Sequence, residues 1–159
     1  SPIIEKFTND SERIESISLM VQKELAERIV ANSGTKAYGS FTLFVTYHFH
    51  VKKQFNVSNT CFRPVPKVNS AFINLIPRNE NKTKTKNEEL LFKIIHAAFW
   101  GRRKTIATAI KKYSATSSYS KVFLEALSEL NISPKIRGEK LTLDQFIEIS
   151  NLMHVNTTH

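Results

Sequence analysis

The chain is poor in the residues that usually build redox, metal or cofactor sites. It has one cysteine, Cys61, so no internal disulfide framework can form, which fits a reducing compartment. Four glycines occur in 159 residues, and none falls in a G-x-G cluster or a phosphate loop, so no nucleotide or cofactor cradle is visible. There is no C-x-x-C and no H-E-x-x-H. His48 and His50 share a face only in a strand, and a third ligand would have to come from Cys61 or a distant carboxylate, so no metal is expected. No apolar run approaches the ~20 residues of a membrane span, and the start carries no signal-peptide pattern, so no membrane partner is expected. No Ser/His/Asp or paired-carboxylate arrangement stands out above chance.

Acids are scarce where bases are dense. The formal charge is +9, but residues 52–112 hold 14 lysines and arginines against Glu80, Glu88 and Glu89, a local +11, and the remainder sums to −2. A basic block in an otherwise near-neutral chain suits a polyanion, most often nucleic acid; a merely solvated basic surface is the plain alternative.

Patterning divides the chain into an α/β part and an all-α part. Ser1-Pro2 reads as a cap and first helical position, with Ile3, Ile4 and Phe7 turned to a core. A strand is expected over Arg13–Gln22 and a helix over Lys23–Ala31, stopped near Gly34. Phe41–Phe49 is apolar throughout and its period is ambiguous; a helix passing into a strand over Val51–Val57 is favoured. Ala71–Ile76, ended by Pro77, would pair antiparallel with that strand at a sheet edge. "RNENKTKTKNEE" reads as a lysine-studded linker, dividing residues 1–78 from the helices of 88–159 across a basic polar stretch at 79–87. Asn87 is a candidate cap for a helix with Leu90, Leu91, Ile94, Ile95, Ala98 and Phe99 inward. Helices should follow over Arg102–Tyr113 and Tyr119–Leu130. A last one should open at a Thr142/Gln145 capping box with Leu141 and Phe146 as its staple.

Two segments carry candidate chemistry. In "CFRPVPKVNS", Pro64 and Pro66 fix their own φ and push Arg63 and Val65 towards extended backbone, so Phe62 is presented on a stiff arm. A rigid aromatic of this kind stacks on an unpaired base, with Arg63 and Lys67 aimed at phosphates. The alternative is that Phe62 closes the edge of the core and the prolines shape a turn. In "FWGRRKTIATAIKKY", Gly101 breaks or kinks two helices at Arg102, Arg103 and Lys104, and Lys111 and Lys112 follow. Lys104, Thr108 and Lys111 fall at i, i+4 and i+7, giving one basic helical face suited to tracking the phosphates of duplex RNA, with a merely solvated face as the alternative.

Five segments, in this order, together resemble one family: "SPII", "MVQKELAERIVANSGTKAYG", "FRPVPKVNSAFINLIPR", "AFWGRRKTIATAI" and "KIRGEKLTLDQF". They are similar to the carboxyl-terminal part of the small-subunit ribosomal RNA adenine dimethyltransferases, the KsgA/Dim type, over nearly the whole chain. The resemblance implies the end of a Rossmann-like class I methyltransferase domain followed by a small helical domain. It implies an S-adenosylmethionine-dependent enzyme that dimethylates two adjacent adenines near the 3′ end of small-subunit rRNA during ribosome biogenesis. The family's glycine-rich cofactor loop and its Asn-Leu-Pro-Tyr loop have no counterpart here. The chain as given is therefore expected neither to bind the cofactor well nor to turn over. Phe62 matches the aromatic that packs on the flipped adenine, with Pro64 shaping the wall, and Arg102, Arg103 and Lys104 match an RNA-facing segment. Chemistry on a base requires it out of its stack, which agrees with that role. Asn69 departs from a usual aspartate, and Gly138 from a common alanine. The related large-subunit resistance methyltransferases carry a similar proline loop, but the Arg-Arg-Lys helix and the "KIRGEKLTLDQF" ending favour the small-subunit type. The implied setting is the bacterial cytoplasm, the implied partners are small-subunit rRNA and the assembling subunit, and the parent is expected to be a monomer. A chain lacking the central strands of its sheet would tend to self-associate. A non-catalytic RNA-binding assembly factor or transcription factor of the same fold is the second reading.

Overall fold

The computed structural model describes residues 2–9 and 13–157. Helix α1 (Pro2–Asn9) leads to strand β1 (Ile17–Gln22), helix α2 (Lys23–Ile29), helix α3 (Ser40–His48) and strand β2 (Phe49–Val57). After the proline loop come β3 (Ser70–Pro77) and helices α4 (Asn79–Lys84), α5 (Glu88–Trp100), α6 (Ile106–Lys112), α7 (Ser120–Glu129) and α8 (Leu143–Thr157). The expected cap at Ser1 lies outside the described residues. In α1 Ile4 is fully buried and Phe7 packs beside it, whereas Ile3, expected inward, is exposed. β1 begins at Ile17, four residues later than expected at Arg13.

The strands form one sheet in the order β1-β3-β2, antiparallel at both junctions. β3 is thus central, and β1 and β2 are the edge strands of the described sheet. Alternation sends Ile17, Ala71, Ile73 and Leu75 to one face, against Ile4 of α1, Ala26 and Ile29 of α2, and Val45 and Phe49. On the other face Met20 and Phe55 both lie opposite Phe72, and the Phe55 and Phe72 rings stack 5.3 Å apart with planes 1° from parallel. The register shift between Lys53 and Phe55 is a bulge.

A second core belongs to the helices: Leu90, Leu91, Ile94, Ile95 and Ala98 of α5, Ile106 and Ile110 of α6, Phe123 and Leu127 of α7, and Phe146 and Met153 of α8. α3 serves both cores, since Leu43 and Tyr47 join the helical one while Val45 joins the sheet's. A helix buried on opposite sides is apolar all round, which is why its period is ambiguous in the sequence. The cap signals match their observed positions. Asn87 Oδ1 accepts from the Leu90 amide at 2.9 Å, the Thr142 amide donates to Gln145 Oε1 at 2.9 Å, and Leu141 and Phe146 are fully buried.

The stretch 79–87, expected as a basic polar linker, carries α4 instead, and several of its groups bond to neighbouring helices. The last carbonyls of α3 have no partners inside that helix. Arg78 Nη1 donates to Thr46 O at 3.3 Å, Asn81 Nδ2 to Tyr47 O at 3.0 Å, and the Arg78 amide to His48 O at 2.8 Å. At its far end the Lys86 amide donates to Asn151 Oδ1, and Asn151 Nδ2 donates to Lys84 O, both at 2.8 Å. The segment is a strap fastened to α3 at one end and α8 at the other.

Candidate nucleic-acid interface

The β2–β3 loop is rigid for reasons beyond its prolines. Ser58 caps a 3₁₀ turn over Asn59–Cys61. The Asn59 amide donates to Asn69 Oδ1 and Asn59 Nδ2 to Pro66 O, each at 3.0 Å, closing the loop across its neck. Asn69 in turn accepts the Lys23 amide at 2.9 Å, which anchors the loop to the start of α2. An aspartate at position 69 would supply the same acceptor oxygen, so asparagine preserves this function of the site. Phe62 is half-buried but belongs to neither core, so it does not close the core's edge. Pro64 follows a cis peptide bond and is exposed, as are Val65, Lys67 and Val68. Arg63 turns back, donating to Phe62 O at 3.1 Å and Thr60 O at 3.4 Å.

The basic segment differs from its expected helical face. Gly101 ends α5 and lies against α6: a Cβ there would come within 2.8 Å of the Ala109 Cβ. The chain turns at this contact, and α6 opens only at Ile106, where the Thr105 side chain accepts from the Thr108 amide. Lys104 therefore precedes the helix and shares no face with Thr108 and Lys111. Its amine lies 4.5 Å from the centre of the Trp100 ring. Arg102 is a tie rather than a free cation. Its Nε donates to Glu139 Oε2 at 2.9 Å and its Nη2 to the Lys36 and Thr35 carbonyls at 2.7 and 3.3 Å. Arg103, Lys111 and Lys112 are exposed and form no ion pair with a carboxylate among the described residues.

Two clusters result, one at the proline loop and one at the α5–α6 turn. α2 lies between them. A cleft of about 430 Å³ on one side is lined by Lys23, Asn59, Lys67 and Asn69, and one of about 540 Å³ on the other by Arg28, Lys36, Phe41 and Arg102. Glu24 and Glu27 line both clefts, and their charges are partly offset by Arg28 at 3.3 Å and Lys23 at 3.8 Å. The histidines are apart in role. His48 is buried among the rings of Phe44, Tyr47 and Phe92, and burial, with help from the Lys82 charge, pushes its pKa down to about 4. His50 pairs with Glu80 at 2.9 Å, and Cys61 is exposed in the loop. Among the described residues no three His, Cys, Asp or Glu side chains converge, and no helix is long and apolar enough to cross a membrane. Trp100, half-exposed beside the bases, is not a sequence-stripe residue, and sequence reasoning passes over it; its place directly before Gly-Arg-Arg is the signal that could have found it.

A family model described as ribosomal RNA adenine dimethylase matches residues 1–154. The ribosomal RNA small subunit methyltransferase A of Lachnoclostridium phytofermentans is 39% identical over 153 residues, which is 96% of this chain and 53% of that protein. The protein of the same name from Lysinibacillus sphaericus is 39% identical over 155 residues, 97% of this chain and 53% of its own. The chain thus spans about half the length of the curated relatives it matches. Among solved structures, a dimethyladenosine transferase from Plasmodium falciparum superposes with a TM-score of 0.83 at 26% identity, over 98% of this chain and 62% of that one. The 23S rRNA methyltransferase ErmE gives 0.58 at 18% identity, over 96% and 60%, a likeness of fold alone. On these matches the chain belongs to the ribosomal RNA adenine dimethylase family.

Proposed function

We propose that this chain supplies the target-base wall and the RNA-docking surface of an enzyme that dimethylates adjacent adenines of small-subunit rRNA in the bacterial cytoplasm. One observation carries the reading: in a member of this family, Phe62 stands on a loop pinned at both ends yet joins no core. A base must leave its stack before its exocyclic amine can react, and a flat apolar surface repays part of that cost. Phe62 and Pro64 form that surface. Lys67, and Arg63 after turning outward, meet the adjoining phosphates. Arg103, Lys104, Lys111 and Lys112 hold the RNA by charge, which positions without reading sequence.

A nucleotide-like cofactor such as S-adenosylmethionine, which the family implies, is held by amides at the turn of a parallel β-α-β unit. The strand pairs among the described residues are antiparallel, a geometry without that turn. The one glycine with positive φ, Gly34, faces the Lys140 side chain. The partner molecule is small-subunit rRNA, met within the assembling subunit.

Phe62→Ala in the full-length enzyme that contains this chain tests the reading. Stacking on one flipped base is worth ~1–3 kcal/mol, so methylation should fall about five- to 150-fold while affinity for the RNA changes less than about threefold. Equal losses in rate and affinity would place Phe62 in general docking and overturn its role as a wall.

A further inference from the structure

Trp100 closes α5, where the stripe of that helix has already been satisfied by Leu91, Ile94, Ile95 and Ala98. It is 56% exposed, an unusual position for the largest aromatic side chain. Its surroundings are built rather than loose. The Lys104 amine sits 4.5 Å from the indole centre, inside cation–π range, and the Tyr113 ring lies 5.6 Å away, tilted by 48°. Gly101, buried against Ala109, fixes the turn that brings Lys104 back over the ring. Exposed Arg103 flanks the indole in sequence, and exposed Lys111 and Lys112 precede Tyr113. None of these three has a carboxylate partner among the described residues.

We propose that Trp100 is a second base-stacking site, separate from Phe62, which takes an unpaired nucleotide of the bound RNA while Lys104 and Arg103 hold its phosphate. This rests on the RNA-docking reading above and adds to it a residue and a kind of contact. The charge decides the occupant. A protein surface covering a half-exposed tryptophan would find cations around it that need acidic partners, whereas single-stranded RNA brings both a π face and a phosphate at one nucleotide's spacing. Duplex RNA keeps its bases stacked inside and offers the indole nothing flat except at its ends.

Trp100 is the only tryptophan in the chain, so its fluorescence reports this site without a label. Single-stranded oligoribonucleotide titrated into the chain should quench the emission saturably, at the same midpoint as the anisotropy rise of a labelled copy. Inorganic polyphosphate, which has charge without bases, should bind with little quenching. Trp100→Ala should weaken binding of the oligonucleotide about tenfold, and Trp100→Phe, which keeps a stacking ring, about threefold or less. Binding by anisotropy with unchanged emission, or equal quenching by polyphosphate, would overturn the stacking site and leave the docking reading intact. Absence of any RNA binding would overturn both.

Discussion

Side chains of one type do different work according to the direction in which the backbone releases them. Arg102, Arg103 and Lys104 are consecutive, but Arg102 is bonded to Glu139 and two carbonyls while Arg103 stays in solvent. A run of bases is legible in a sequence; which one folds inward is not, because Glu139 lies 37 residues away. The two kinds of arginine should separate in experiment. Each phosphate contact contributes about 0.7–0.9 to the slope of log affinity against log salt. Arg103→Ala with Lys104→Ala should flatten that slope by about 1.5 and leave the melting temperature nearly unchanged. Arg102→Ala should leave the slope unchanged and destabilise the fold by about 1–3 kcal/mol, since Glu139 and two carbonyls lose a charged donor. Identical slopes for both variants would remove Arg103 and Lys104 from the interface. Gly138 makes the same point about size. A Cβ there would meet the Ala98 Cβ at 2.6 Å, so the common family alanine does not fit opposite this Ala98. Gly138→Ala should cost about 1–3 kcal/mol by overpacking. Ala98→Gly in the same chain should recover part of that, less the ~1 kcal/mol of a glycine inside a helix; thermal melts of the single and double variants decide it.

At the scale of elements, caps and amphipathic stripes are legible because they are local, and the caps at Asn87 and Thr142 fall where their spacing puts them. α3 and α4 are less legible because their character is set by neighbours. α3 lies between two cores, and α4 is polar because it caps the carbonyl end of α3. His48 closes α3 inside this junction, and its Nδ1 has no hydrogen-bond partner. Its folded pKa of about 4 lies below the ordinary 6.5, so between those values the unfolded chain binds the proton and the folded chain does not. The stabilisation is complete above pH 6.5 and is lost as pH falls towards 4, at up to ~1.4 kcal/mol per unit. Denaturant melts between pH 7 and 4.5 should show this decline. His48→Phe, which keeps the ring on Phe92, should flatten it. The Glu89 carboxyl, held low by its hydrogen bond from Lys93, adds its own loss towards the acid end of this range, below the pH at which His48 begins to titrate in the unfolded chain. An undiminished decline in His48→Phe would assign the acid sensitivity elsewhere.

For the whole molecule, net charge and the change from mixed to helical patterning are legible in the sequence, and the structure holds one core under the sheet and another among the helices. Strand order does not follow from that patterning: pairing β1 with β3 depends on contacts between segments about fifty residues apart, and local alternation fixes only which face each strand buries. That order leaves β1 with one unpaired edge among the described residues, beside a face where Met20, Phe55 and Ile76 are each about half-exposed. An open strand edge next to an apolar face is a template for another chain. The 159-residue chain should therefore associate as its concentration rises, despite its charge of +9. Phe55→Lys should suppress this, because it removes the outer half of the Phe55–Phe72 stack and puts a like charge on both copies. Sedimentation velocity between about 5 and 200 µM, at 0.15 M salt where charges more than ~8 Å apart are screened, reads the effect. A monomer throughout for the parent chain would show that charge repulsion outweighs the open edge. Association undiminished in Phe55→Lys would move the contact from this face to the β1 backbone, which Met20→Pro would then interrupt.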